Sequence, residues 1–252
     1  MKKNISMTMF ATLGLLAATA QASLFDITTK DASGGDASLH ENIPDSGNDD
    51  STVTVRSRLI SGSERHSASV FRFGVAVLDG AATSAALKFD VTASDTESFA
   101  IDVFGLVDGT SKGAYTDADW PEAFGVTYNN MPGFSGSNYP NIDRNHVPGE
   151  TVLLGTINYV GGTAGEISMA STTALVDFIN ADSNGVATFF LEAQVANVNQ
   201  DFFVVLRSNK NSISGAEFYP TLTVETIPEP ATLGLMGFVS AGLLCIRRHL
   251  AM

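Results

Sequence analysis

Apolar and polar residues alternate with a period of two through much of the chain, and a helical period of 3.6 surfaces once. In "SVFRFGVAV", Phe71, Phe73, Val75 and Val77 fall on one face and Arg72 on the other. "ALKFDV" repeats the pattern, with Leu87, Phe89 and Val91 inward against Lys88 and Asp90. "SFAIDVFGLV", "TVLLGTINYV", "VATFFLEAQV" and "DFFVVLRS" supply further strands, and those that are apolar on both faces are expected at the centre of the fold. "AEFYPTLTV" sets Phe218, Pro220, Leu222 and Val224 against Glu217, Tyr219, Thr221 and Thr223. Because Pro220 cannot donate to a ladder, this strand is expected at an edge or to begin at a bulge. "STTALVDFINAD" is the helical stretch, with Ser171 or Thr172 as N-cap and Leu175, Phe178 and Ile179 on one face. Turns rich in Gly, Asp, Ser and Asn separate the strands and are often too short for parallel crossovers. The pattern predicts one all-β domain, an antiparallel β-sandwich of about eight to ten strands with one short helix.

The two ends break the alternation. "MKKNISMTMFATLGLLAATAQA" opens with Lys2 and Lys3, continues with an apolar run from Met9 to Ala18, and closes on Ala20-Gln21-Ala22. These are the parts of a secretory signal peptide, residues 1–22, cut by signal peptidase after Ala22, since the run is too short to span a bilayer. At the other end, Ala231–Ile246 carries no charge and would reach about 24 Å as a helix, near the ~30 Å hydrocarbon core. Arg247 and Arg248 follow directly, and basic residues beside a span stay cytoplasmic. The organisation expected is therefore a signal peptide 1–22, a β-sandwich domain 23–227, and a tail 228–252 with a transmembrane helix 231–246.

Pro228-Glu229-Pro230, the apolar stretch rich in small residues and Arg247-Arg248 together resemble the PEP-CTERM sorting signal of Gram-negative bacteria. The resemblance implies processing by an exosortase, a membrane cysteine transpeptidase, and a protein that accompanies exopolysaccharide production. It assigns the sorting role to Pro228, Glu229, Pro230, Arg247 and Arg248, with the membrane a partner at least until processing.

Setting the ends aside sharpens the charge. Lys2, Lys3, Arg247, Arg248 and Glu229 leave with them, so residues 23–227 keep 10 basic against 26 acidic side chains, a formal −16. Nucleic acid and anionic lipid are poor partners for such a body, because both require clustered Lys and Arg. The one cysteine, Cys245, lies in the apolar tail, so the body carries no disulfide and rests on its core.

A second resemblance covers most of the body. "FRFGVAVLDGAATSAALKFDV" resembles the Arg-Phe-Asp signature of DNRLRE-type domains, related to carbohydrate-binding module family 96. "ADWPEAFGVTYNNMPG" is similar to that family's Trp-x-Glu and "vTWnn.P" segments, with Trp120, Glu122, Thr127, Asn129, Asn130 and Pro132 in step. "GAEFYPTLTV" resembles its closing strand. Tyr128 stands where a second Trp is usual, and Gly74 where Asp is common. The fold implied is a jelly-roll-like sandwich.

Several stretches carry candidate chemistry. Gly109-Thr110-Ser111-Lys112-Gly113 fits G-x-S-x-G, and His146 downstream could complete a triad on chain order alone, but no helix follows, so a loop between strands is the favoured reading over a nucleophile elbow. Asn180–Gly185 copies the first half of an EF-hand loop; its twelfth position is Leu191 and Glu192 comes one residue late, so it reads as a turn. Asp45, Asp49 and Asp50 crowd one loop and would suit calcium, as would Asp117 and Asp119, although solvated loop acids have the same composition. Tyr115, Trp120, Tyr128, Asn129, Asn130, Asn138 and Tyr139 gather rings and amides in a Gly/Pro-rich region, the chemistry of a sugar platform; the competing reading has Trp120 and Tyr128 plugging the sandwich edge. His40, His66 and His146 show no metal spacing.

These features lead to an exported, non-catalytic protein of the cell envelope or extracellular matrix, structural or exopolysaccharide-binding. The alternative is a small secreted polysaccharide-active hydrolase or lyase, which needs a positioned carboxylate pair that no motif supplies.

Overall fold

The computed structural model describes residues 21–48, 51–121, 125–137, 146–210 and 218–228. In chain order the strands are β1 (Ser23–Thr28), β2 (Gly35–His40), β3 (Gly47–Asn48), β4 (Thr52–Leu59), β5 (Arg65–Gly74), β6 (Gly80–Ser94) and β7 (Phe99–Leu106). There follow β8 (Ser111–Lys112), β9 (Tyr115–Thr116), β10 (Thr151–Tyr159), β11 (Gly165–Met169), α1 (Thr173–Ala181), β12 (Val186–Ala193), β13 (Gln200–Arg207) and β14 (Thr221–Pro228). The expected signal peptide and C-terminal span lie outside the described residues, apart from Gln21, Ala22 and Pro228. Among the described residues, no helix is long and apolar enough to cross a membrane.

All strand pairings are antiparallel, as the short connections require. The path runs β1-β14-β6-β13-β4-β5-β12-β7-β10, with β11 on β6 and β2 on β5. Long β6 binds this path into a curl. Leu87 and Lys88 pair with both β14 and β11, which therefore occupy opposite edges of β6, and its last residues turn to β13. At the next corner β4 pairs with β13 along its whole length but meets β5 only at Arg56–Arg58. The described residues thus form an all-β body of curled antiparallel sheets with one helix among them.

Inside the curl lies the main core, built from the inward faces that alternation identifies: Phe71, Phe73, Leu87, Phe89, Val91, Phe189, Leu191, Leu222 and Val224 are all buried. A second cluster occupies the opposite face of β2, β5 and β12, where Leu39, Val70 and Phe190 meet Trp120, Val126, Tyr128, Met131 and Phe134 from the excursion between β7 and β10. This cover explains why β5 and β12 are apolar on both faces. The helix forms as its sequence demands: Thr172 is the N-cap, its Oγ1 accepting from Leu175 N at 3.0 Å, and Leu175 and Ile179 are buried beneath it.

Three expectations need correction. β14 is not an edge strand, since β1 lies on one side and β6 on the other. Pro220 precedes the first residue of β14 and uses only its carbonyl, which accepts from Thr29 N at 3.2 Å, so no ladder donor is missed there. Val77 does not share the core face, being 59% exposed, because β5 ends at Gly74 and the chain turns before β6. β1, β2, β4 and β11 are strands not singled out by the alternation above, and with them the strand number exceeds the expected range.

Gly74, where the second resemblance leads one to look for Asp, has a local cause. A Cβ there would stand 2.6 Å from the Ala32 carbonyl oxygen, so the turn after β1 leaves no space for any side chain.

Candidate functional site

Two rings of the expected sugar platform are folded inward. Trp120 and Tyr128 are 1% and 0% exposed, so neither ring face is open to a pyranose, and the edge-plugging reading describes both. Trp120 Nε1 donates to Thr188 Oγ1 at 3.4 Å, and Arg72 lies over its ring. The amides are engaged by protein: Asn130 Oδ1 accepts from Thr127 N at 2.6 Å and its Nδ2 donates to Gly125 O at 3.0 Å. Asn129 Oδ1 accepts from Ser137 N at 2.9 Å. Tyr115 packs half-buried against the second cluster. Glu122, Asn138 and Tyr139 lie outside the described residues.

The acidic loop meets the same fate in part. Asp45 Oδ1 accepts from Asn129 Nδ2 at 2.8 Å, so two residues from different candidate sites serve to tie the turn after β2 to the β7–β10 excursion. Asp49 and Asp50 fall outside the described residues. Asp117 is buried and both carboxylate oxygens are taken, by Gly109 N at 3.1 Å and Asn184 Nδ2 at 2.5 Å. Asp182 accepts from Gly185 N and Val186 N, closing the EF-hand-like stretch as a turn between α1 and β12. Burial raises the Asp182 carboxyl above its ordinary value, with Asp108 and Asp117 adding repulsion. Among the described residues, no three His, Cys, Asp or Glu side chains converge on a metal position. Ser111 of the G-x-S-x-G stretch sits in the β8–β9 hairpin, the loop context expected for it.

A broad concave surface lies elsewhere. A groove of about 790 Å³ runs over the outer face of β1, β14, β6 and β11, lined by Asp26, Lys88, Asp90, Glu166, Phe218 and Tyr219 together with Thr28, Thr221 and Thr223. Alternation places these side chains here, because Thr221 and Thr223 point away from buried Leu222 and Val224. Each acid has a partner: Asp26 accepts from Thr223 Oγ1 at 2.6 Å, Glu166 pairs with Lys88 at 3.3 Å, and Asp90 with Arg207. Lys30 donates to Tyr219 Oη at 2.8 Å, and the Arg207 guanidinium lies over the Phe218 ring, 5.1 Å from its centroid. Hydroxyls, paired carboxylates and two half-buried rings thus line one open trough. Alternation sets Tyr219, Thr221 and Thr223 on this outer face but Phe218 on the inner one; Phe218 and Tyr219 instead precede β14 and both line the groove, which β1 and β11 flank.

A polar cluster that spacing does not reveal lies under the excursion. Glu192 of β12 is 0% exposed; its Oε2 is 2.8 Å from His146 Nε2, and its Oε1 3.5 Å from His66 Nε2. Burial pushes the Glu192 carboxyl up, but the hydrogen bonds and charge of His146 and His66 outweigh it and hold the group well below the ordinary carboxylate range. His146 also packs on Phe104 and Phe134, with centroids at 4.2 and 5.1 Å. The cluster pins the end of the excursion to the sheet.

No curated protein matches the chain. Residues 226–248 match the PEP-CTERM protein-sorting motif, a stretch that begins inside β14, where Thr226, Ile227 and Pro228 pair with Ala82, Ala81 and Gly80. The apolar stretch and arginine pair of the C-terminal region lie within this sorting motif, which implies sorting by an exosortase and export to the cell envelope or the extracellular space.

Proposed function

We propose that this protein is a non-catalytic component of the envelope or extracellular matrix whose body, a jelly-roll-like sandwich, binds exopolysaccharide in the groove over β1, β14, β6 and β11. The observation that carries the reading is that groove: it combines hydroxyl-bearing strands, ion-paired carboxylates and the rings of Phe218 and Tyr219 on an exported chain. Sugars present donors and acceptors around an apolar ring face, and such a lining answers both. A body of formal −16 favours neutral polymer, or acidic polymer bridged by calcium, over direct capture of a polyanion.

Signal peptidase and exosortase act during export, and the uncharged Ala231–Ile246 stretch holds the chain in the inner membrane before processing. The groove's carboxylates already have protein partners, Asp90 and Glu166 a cation each and Asp26 the Thr223 hydroxyl, which favours a binding role over hydrolysis. Retention of the purified 23–228 body on a panel of neutral and acidic glycans, with and without chelator, tests the reading. Retention on neutral glycan supports it; loss on chelation assigns calcium to loops such as Asp45–Asp50. Glycan shortening would instead support the hydrolase or lyase alternative, and no retention on any polymer would leave a purely structural component.

A further inference from the structure

The two ends of the described body leave from one place. Ser23, the residue after the expected signal-peptide cut, pairs with Thr226, and Pro228 pairs with Gly80 at the start of β6. Asp79 binds both strands, accepting from Thr226 Oγ1 at 2.5 Å and Ser23 Oγ at 2.9 Å. Those hydrogen bonds, Thr226's first, lower the Asp79 carboxyl below its ordinary value. The start of the uncharged stretch, Ala231, is three residues from Pro228, so covalent geometry keeps it within about 10 Å of this sheet end. Three branched aliphatics are exposed here: Leu24 at 69%, Val77 at 59% and Ile227 at 48%. Leu24 flanks Ser23, Ile227 sits between Thr226 and Pro228, and Val77 occupies the turn leading to Asp79.

We infer that, while Ala231–Ile246 is in the bilayer, this sheet end rests on the lipid surface, with Leu24, Val77 and Ile227 forming the contact. The inference rests on the membrane-held reading given under Proposed function and adds which face meets the membrane. The occupant is the bilayer's own surface because the chain gives the body no longer tether. The acidic body restricts the contact to zwitterionic headgroups, since like charge opposes an anionic surface. The opposite end of β6 lies about 45 Å away along the strand, at about 3.3 Å per residue. There Gly162 N donates to Asp95 O at 2.7 Å, and Val160, 65% exposed, serves as the distant reference.

The experiment uses the chain from Ser23 to Met252 in phosphatidylcholine vesicles, with Cys245→Ala removing the native thiol and a fluorophore placed by Val77→Cys or Val160→Cys. Flotation first reports whether the chain is held by the vesicles. Quenching by a lipid-attached quencher at least twofold greater at position 77 than at 160 supports the contact surface. Equal quenching in protein that floats overturns it and leaves the anchor intact. Failure to float overturns the anchor, and the surface falls with it.

Discussion

The Arg72 guanidinium carbon lies 4.6 Å from the centroid of the Trp120 ring, and Arg72 Nη1 donates to the Trp120 carbonyl at 2.7 Å. A strand residue of β5 and a loop residue 48 positions away thus lock the excursion onto the sheet. Cation–π contact with a buried ring and a charge-assisted hydrogen bond act on the same pair.

Trp120→Ala should therefore destabilise the body by roughly 3–5 kcal/mol, the cost of emptying a buried aromatic site. Chemical denaturation of the two proteins measures it. As the single tryptophan, Trp120 should also emit at short wavelength in the native wild type and shift to the red on unfolding. Long-wavelength emission from the folded protein would contradict its burial.

The Glu192 cluster makes a pH prediction. The folded-state carboxyl lies below its ordinary value of 4.5, so the stability it contributes is present above that pH and is lost as acid protonates it. The gap in melting temperature between wild type and Glu192→Gln should be full above about pH 5 and narrow steadily as the pH falls below 4.5. Removing one partner of this buried hydrogen-bonded cluster leaves polar groups unsatisfied, a cost of about 1–3 kcal/mol. Should the Gln variant be too unstable to assay, His146→Gln provides the same comparison with Glu192 left in place. A gap that widens in acid would refute the assignment.

Much of this architecture is legible in the chain, for physical reasons that also mark where legibility stops. Leu87, Phe89 and Val91 announce their face because the sheet period is two and one side is core. The second cluster is legible only as a paradox, strands apolar on both faces, until Trp120 and Tyr128 fold over them. β2, "GDASLH", offers little alternation, since Asp36 and Ser38 are buried in hydrogen bonds to Ser208 Oγ and Thr54 N rather than in apolar contact. His146 and Glu192 stand 46 residues apart, so no local spacing rule brings them together. The groove escaped for the same reason: its walls come from β1, β6, β11 and β14, joined only by register. The density of rings in sequence marks a core at Trp120 and Tyr128 rather than an open platform.

Tyr219→Ala should weaken glycan retention at least severalfold while leaving the melting temperature within a few degrees, because the ring is half-buried at the groove wall. Affinity electrophoresis in gels containing the retained glycan, run beside a melting curve, separates the two effects. Unchanged mobility with the variant would move the binding surface away from this groove.

The helix has a cap with two duties. Thr172 Oγ1 accepts from Leu175 N and donates to the Leu154 carbonyl at 2.6 Å, joining α1 to β10. Thr172→Ala should cost about 1–2 kcal/mol. Urea denaturation gives the value, and Thr172→Ser, which keeps the hydroxyl, should recover most of it.

Intact mass of the protein recovered from envelope and culture medium bears most directly on export and sorting. The expected species starts at Ser23 and ends at or beyond Pro228, because a cut further upstream would strip ladder residues from β14, an internal strand. A full 252-residue chain confined to the cytosol, with both ends uncut, would contradict it.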